Sequence, residues 1–333
     1  MRPLAERLRY AENYCVLAKH QLENGKQEQA LLSLRQALQL VPRHVAALAS
    51  MVRLCYSRGE LEQAQSYLQR WLAADGRDSE CHFLYGNLCL GLQQYEQGLE
   101  HYQQARELGD DSPDLCFNQG LAHYLLGDLS GAERLFRQTL EADPGFARAL
   151  DGLGCVARSR GRPEAATALF RQAVAADPTF LETLDHLVQV LIELGRLDKA
   201  QEALREALER QPGTARVWYL LGLVHCHQQS YGQAIRALEQ AAKLAPQDEV
   251  VLCQLAAALR QAGQLDRALQ AADRALATCR ENPEARLERA RVLAQCGRPQ
   301  EALEELGRAR ELAPGNEEIA AALESVRRLL REG

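Results

Sequence analysis

Residues 215–248 read ARVWYLLGLVHCHQQSYGQAIRALEQAAKLAPQD. Trp218, Leu221, Gly222 and His225 fall at positions 4, 7, 8 and 11 of this stretch, the spacing that puts side chains on one face of a helix. Ala234 and Leu238, four residues apart, do the same for a second helix, and Pro246 stops it because proline has no N–H to continue the ladder. The stretch reads as two antiparallel helices that bury their apolar faces against each other.

The pattern recurs along the chain every 34 residues without insertion or deletion, from Ala11 as position 1 through residue 316. Position 20 is tiny throughout: Ala30, Ala64, Gly98, Ala132, Ala166, Ala200, Ala234, Ala268 and Ala302. Position 15 is glycine in seven blocks, with Gln93 and Gln229 as exceptions; a left-handed helix end is cheapest there without a Cβ. Position 8 is mostly small (Gly86, Gly120, Gly154, Gly222), and position 24 is mostly bulky (Tyr102, Phe136, Phe170). Small residues at 8 and 20 let the paired helices approach, and the residue at 24 fills the gap between layers.

These columns resemble the tetratricopeptide repeat, whose 34-residue signature is W-x2-L-G-x2-Y, then A-x3-F, then P. The stretch from Ala215 carries it most fully, with Trp218, Leu221, Gly222, Ala234, Leu238 and Pro246. The resemblance implies an all-α, right-handed α-solenoid of nine helical hairpins plus a C-terminal capping helix. Its expected divisions are an N-terminal extension of the first helix (1–10), then repeats at 11–44, 45–78, 79–112, 113–146, 147–180, 181–214, 215–248, 249–282 and 283–316, and a capping helix at 317–333. Trp71 and Thr139 replace the small residue at position 27, and Gly76 and Asp110 replace the proline at position 32, so those two junctions are expected to pack at altered angles.

The ends fit a capped array. Pro3 suits the first turn of a helix, and Leu4, Leu8 and Ala11 extend the first hairpin outward. Residues 317–331 place Ile319, Ala320, Leu323, Val326 and Leu330 on one face, while charged Glu324 and Arg327 stand where a further helix would pack. A terminal repeat needs such a polar outer side, so a deliberate end to the array is expected.

Composition excludes several functions. The net charge is −6, with 39 basic and 45 acidic residues interleaved, and no basic excess exists to release phosphate counterions. No nucleic-acid partner is expected. The first ten residues lack the apolar core of a signal peptide, and the longest apolar run, Trp218 to Cys226, is too short to span a bilayer. The ten cysteines show no CxxC pair, so free thiols in the cytoplasm are expected, with no membrane insertion.

The resemblance further implies that first helices line a concave groove where ligands lie against positions 2, 5, 9, 12 and 13. Aromatic side chains there would anchor a partner, since they bury large area at low entropic cost. The candidate contacts are Tyr56, Phe83, Asn87, Leu90, Phe117, Leu121, Tyr124, Asp151, Arg158, Asp185, Gln189, Tyr219, Leu223 and His227. Packing of Phe83 and Phe117 on neighbouring helices is the competing reading. Two family binding modes do not fit. No repeat has the position-5 lysine of the carboxylate clamp, and only Asn118 stands where the asparagine ladder of the O-GlcNAc transferase type would run.

Catalysis finds no foothold. Asp151 and Asp185 would sit on an open groove, where nothing separates the two pKa values as acid–base chemistry needs. His225, Cys226 and His227 form the one local cluster of metal-competent side chains, but His225 falls at the buried position 11. Arg158, Arg160 and Arg162 read as a solvated turn. The expectation is a non-catalytic scaffold without metal or cofactor, holding an extended peptide or a helix. The alternatives are a self-assembling solenoid and a substrate-recruiting subunit of a separate enzyme.

Overall fold

Glycine at position 15 takes the left-handed conformation that ends each first helix: φ is +71° at Gly25 and Gly59, +82° at Gly127 and +66° at Gly195. The chain then reverses through a two-bond cap, as where Gly127 N–H donates to Tyr124 C=O and Asp128 N–H to His123 C=O. Gln93 and Gln229 adopt the same conformation, at +60° and +57°, so the turn is dictated by the hairpin even without glycine.

The computed structural model describes residues 3–332, in which nineteen helices and no strand are found. Met1, Arg2 and Gly333, the outermost residues of the expected extension and capping helix, lie outside the described residues. The helices divide between two compact units, the first ending at Gly161 and the second beginning at Arg162.

The first unit holds α1 (Leu4–Glu23), α2 (Gln27–Leu40), α3 (Val45–Ser57), α4 (Leu61–Ala74), α5 (Ser79–Gly91), α6 (Tyr95–Glu107), α7 (Pro113–Leu125), α8 (Leu129–Ala142) and α9 (Ala147–Ser159). The second holds α10 (Pro163–Ala176), α11 (Leu181–Glu193), α12 (Leu197–Arg210), α13 (Ala215–His227), α14 (Tyr231–Leu244), α15 (Glu249–Gln261), α16 (Leu265–Thr278), α17 (Pro283–Gln295), α18 (Pro299–Leu312) and α19 (Glu317–Glu332). Odd-numbered helices are the first helices of the hairpins and even-numbered ones the second. Within each unit a second helix packs on the first helix of the next hairpin, as α14 does on α15, and successive first helices also touch, as α13 touches both α11 and α15.

The packing explains the small and bulky columns together. A Cβ added to Gly86 would lie 2.4 Å from the Tyr102 ring, one on Gly120 2.8 Å from Phe136, and one on Gly222 2.5 Å from Leu238. In these three hairpins the position-24 side chain lies on the backbone of position 8, where only a hydrogen fits. Of the two residues that break the position-27 column, Trp71 is buried with its indole N–H donating to Asp78 at 3.0 Å. Thr139 is buried with its hydroxyl donating to the Leu135 carbonyl at 3.0 Å. Each polar atom has a partner, so neither costs an unpaired donor.

Of the junctions at Gly76 and Asp110, α4 ends at Ala74 with the usual extended residue after it, whereas α6 stops one residue short. Its chain leaves through left-handed Gly109 (φ +98°), with Asp110 N–H bonded to the Ala105 carbonyl. Pro3 precedes α1 instead of lying in its first turn. In α19, Ile319, Leu323 and Val326 are buried but Ala320 is exposed, because the helix meets its neighbour along a narrower stripe than five residues.

Candidate partner-binding face

The first helices of each unit present positions 2, 5, 9, 12 and 13 on one face, and burial sorts them. Position 5 is not open to solvent. Phe117, Asp151 and Tyr219 are only 7–8% exposed, and Phe83 is half-buried. Around the aromatic residues, neighbouring rings and guanidiniums close over this position. Phe117 sits between Phe136 and Phe146, with ring centroids 5.6 and 5.4 Å away, and the Arg148 guanidinium covers its ring. Arg216 covers Tyr219 in the same way, 5.0 Å from the ring centre. Phe83 leans on Tyr102. As groove contacts, Phe117, Asp151 and Tyr219 are therefore corrected to packing residues; the expectation of Asp151 on open water fails with them.

Polar candidates are largely committed as well. The Tyr56 hydroxyl donates to the Leu84 carbonyl at 2.6 Å, and burial pushes its pKa well above the ordinary tyrosine range. Asn87 accepts from both Tyr102 and Asn118, at 2.7 and 2.8 Å. Asp185 takes a forked pair of bonds from Arg216, which that carboxylate holds firmly charged. Arg158 is half-buried and Gln189 is exposed. Leu223 is half-buried and His227 exposed, whereas His225 turns inward and shares a 3.0 Å hydrogen bond with Gln228, so the three neighbours do not converge as metal ligands.

Gln189, Leu223 and His227 stay accessible on α11 and α13, and the larger apolar group lies on α5 and α7. Leu90, Leu121 and Tyr124 are half-buried, and Leu125 is 45% exposed. Register places Leu90 and Tyr124 at the same position of adjacent hairpins, so they form one strip along the first-helix face.

Sequence reading missed a ladder of arginines that ties hairpin to hairpin. Arg148 reaches Asp114 at 2.8 Å, Arg216 reaches Asp185 at 2.6 Å, Arg291 reaches Glu318 at 2.8 Å, and Arg53 pairs with Glu80. Arg160 binds Glu133 of the preceding hairpin, so it is a structural link and not part of a solvated turn. The signal was present as opposite charges about one repeat apart, which the stacking turns into neighbours. Exposed pairs of this kind are worth at most about 1 kcal/mol each.

Comparison with known proteins agrees with this geometry. The family model described as the cilia and flagella-associated protein 70 C-terminal domain matches residues 112–326, and a tetratricopeptide-repeat model matches residues 21–88. The chain belongs to the tetratricopeptide-repeat family. The tetratricopeptide repeat protein 8 of Caenorhabditis elegans is 26% identical over 162 residues, 47% of this chain and 32% of that protein. The chain thus matches about a third of that relative's length. Among solved structures, the APC/C hetero-tetramer Cut9–Hcn1 covers 88% of this chain and 59% of its own at 17% identity and a TM-score of 0.55. A monomeric IFIT1 mutant with Gppp-AAAA covers 96% and 82% at 18% identity and a TM-score of 0.58. Both similarities concern the fold. Among the described residues, no helix of this tetratricopeptide-repeat chain is long and apolar enough to cross a membrane.

Proposed function

We propose that the protein is a non-catalytic scaffold that holds a partner polypeptide, as an extended peptide or a helix, on the first-helix face of its first unit. The observation that carries this reading is the strip of Leu90, Leu121, Tyr124 and Leu125, which stays accessible while the aromatic residues around it are consumed by packing. Apolar side chains held on rigid helices bind at little entropic cost, because the backbone is already fixed. Membership of a repeat family whose members bind proteins supports the same reading, and so does the assembly named for one structural neighbour. The other neighbour was solved with a capped oligonucleotide, but the present chain has a net charge of −6 and offers no basic excess on which phosphates would collect. Location in the cytoplasm belongs to the same proposal.

Replacing Tyr124 and Leu125 together by serine tests it. Capture of partners by the purified protein should fall by roughly tenfold or more for the pair, since buried anchors typically contribute most of an interface's binding energy. The helical circular dichroism should be unchanged. Normal capture by a folded variant would remove the strip from the binding site.

Self-assembly has one observation in its favour. On α1, Leu4 is 64% exposed, Val16 70% and Leu17 45%, whereas the equivalents of Leu17 in the next hairpins, Met51 and Tyr85, are buried and half-buried. The first helix therefore carries three such exposed apolar side chains, against Leu329 (51% exposed) on α19.

A further inference from the structure

The second helices of the other unit form a different surface. Where successive first helices touch, successive second helices are spaced by the intervening first helix, and clefts open between them. The cleft between α12 and α14 has a volume of about 410 Å³, with Trp218 and His225 of α13 in its lining. Arg205 enters it from α12 and Arg236 from α14. Both guanidiniums are close enough to His225 to disfavour its protonation.

Two features distinguish this cleft from the arginine ladder of the first helices. Among the described residues neither Arg205 nor Arg236 has an ion-pair partner. The one carboxylate in the lining, Glu239, is already bound by Arg267 of the next hairpin at 2.5 Å. Two unpaired cations thus face one cavity beside a partly exposed indole. The neighbouring clefts also carry cations, but with carboxylates beside them: Arg171 and Arg210 line one, where Arg210 pairs with Glu206 at 3.9 Å, and Lys243 and Arg274 line the other with Glu239. Arg171 and Arg205 hold the same position of adjacent hairpins, and the next two hairpins have Glu239 and Asp273 there, so the positive stretch is local to α10, α12 and α14.

We propose that this second-helix surface, centred on the α12–α14 cleft, binds an acidic polypeptide segment, with a carboxylate held by Arg205 and Arg236 and an adjoining part of the chain lying on Trp218. Two arginines bind carboxylate strongly because their N–H donors are fixed and charged. Charge alternation favours a peptide over nucleic acid. Glu202 and Glu206 line the cleft that Arg171 and Arg210 share, and they would repel the continuous phosphates of a nucleic-acid strand. A peptide can space its carboxylates to miss them. This site is separate from the first-helix strip, and either can fail without the other.

The test uses the full chain and a labelled ten-residue poly-glutamate peptide, read by fluorescence anisotropy at low ionic strength. Arg205→Gln with Arg236→Gln should weaken binding about tenfold or more, as expected for two lost charged hydrogen bonds. Arg53→Gln with Arg148→Gln, which changes net charge equally on the other unit's first-helix face, should leave it within about twofold. Equal loss in both pairs would show that net charge alone drives binding and would overturn the proposal. So would a single-stranded oligonucleotide of equal charge that binds more tightly and depends on the same arginines. A measurement on the unaltered protein guards against misfolded variants. The peptide should change tryptophan emission along the same curve as the anisotropy, because Trp71 is buried and Trp218 lines the cleft. Binding that leaves the emission untouched, or no binding at all, overturns it.

Discussion

Gln93 and Gln229 hold left-handed backbone where seven other hairpins use glycine. An L-residue pays about 1–2 kcal/mol in that conformation, and glycine avoids it at some cost in unfolded-chain entropy. Gln93→Gly and Gln229→Gly should each stabilise the protein by about 0.5–1 kcal/mol, read as a raised urea midpoint with unchanged slope. A lowered midpoint would mean that the glutamine side chains contribute more than the backbone strain costs. Phe117 gives the opposite lesson. It is buried among Phe136, Phe146 and Arg148, so Phe117→Ala should cost about 3–5 kcal/mol in the same experiment. A loss well under 1 kcal/mol would return the ring to the surface and restore it as an anchor.

At the scale of helices, the hairpin was legible because its determinants are local. Glycine at position 15, the small residue at position 8 and the bulky one at position 24 all act within one repeat, and each recurs down a column. Burial of position 5 was not fully legible, because part of its cover comes from the next hairpin, as Arg148 covers Phe117, and spacing within a repeat does not report that. Arg160 was misread for the same reason: its partner Glu133 lies in the preceding hairpin. The early end of α6 was foreshadowed by Asp110 in place of proline, but the left-handed exit through Gly109 was not.

Helix pairing also sets a pH response. His101 of α6 stacks on Tyr85 of α5, with its Nδ1 3.1 Å from that of buried His82. Burial, then the neighbouring His82, lowers its pKa below 6.5; burial, then Arg205 and Arg236, does so for His225. Both take up protons less readily in the fold than when unfolded. Stability from them is therefore present above pH 6.5 and is lost as pH falls below it. The urea midpoint should drop on acidification through that window. His101→Gln with His225→Gln should flatten the drop, and an unaltered pH profile in that variant would locate the effect elsewhere.

For the whole molecule, the family and helical architecture were readable from the sequence, whereas the binding strip was only partly so. Of the expected contacts, Leu90, Leu121 and Tyr124 remain accessible, while Phe117, Asp151 and Tyr219 are withdrawn into packing. The central claim is that a partner polypeptide lies on the first-helix face of the first unit. The most direct measurement places a photoreactive amino acid at Leu125 and, as a control, at exposed Gln138 on second helix α8 of the same unit, then identifies what each captures in cells. Capture of a partner protein from position 125, and not from position 138, is the predicted result. Capture only of nucleic acid, only of further copies of this chain, or of nothing from position 125 would contradict it.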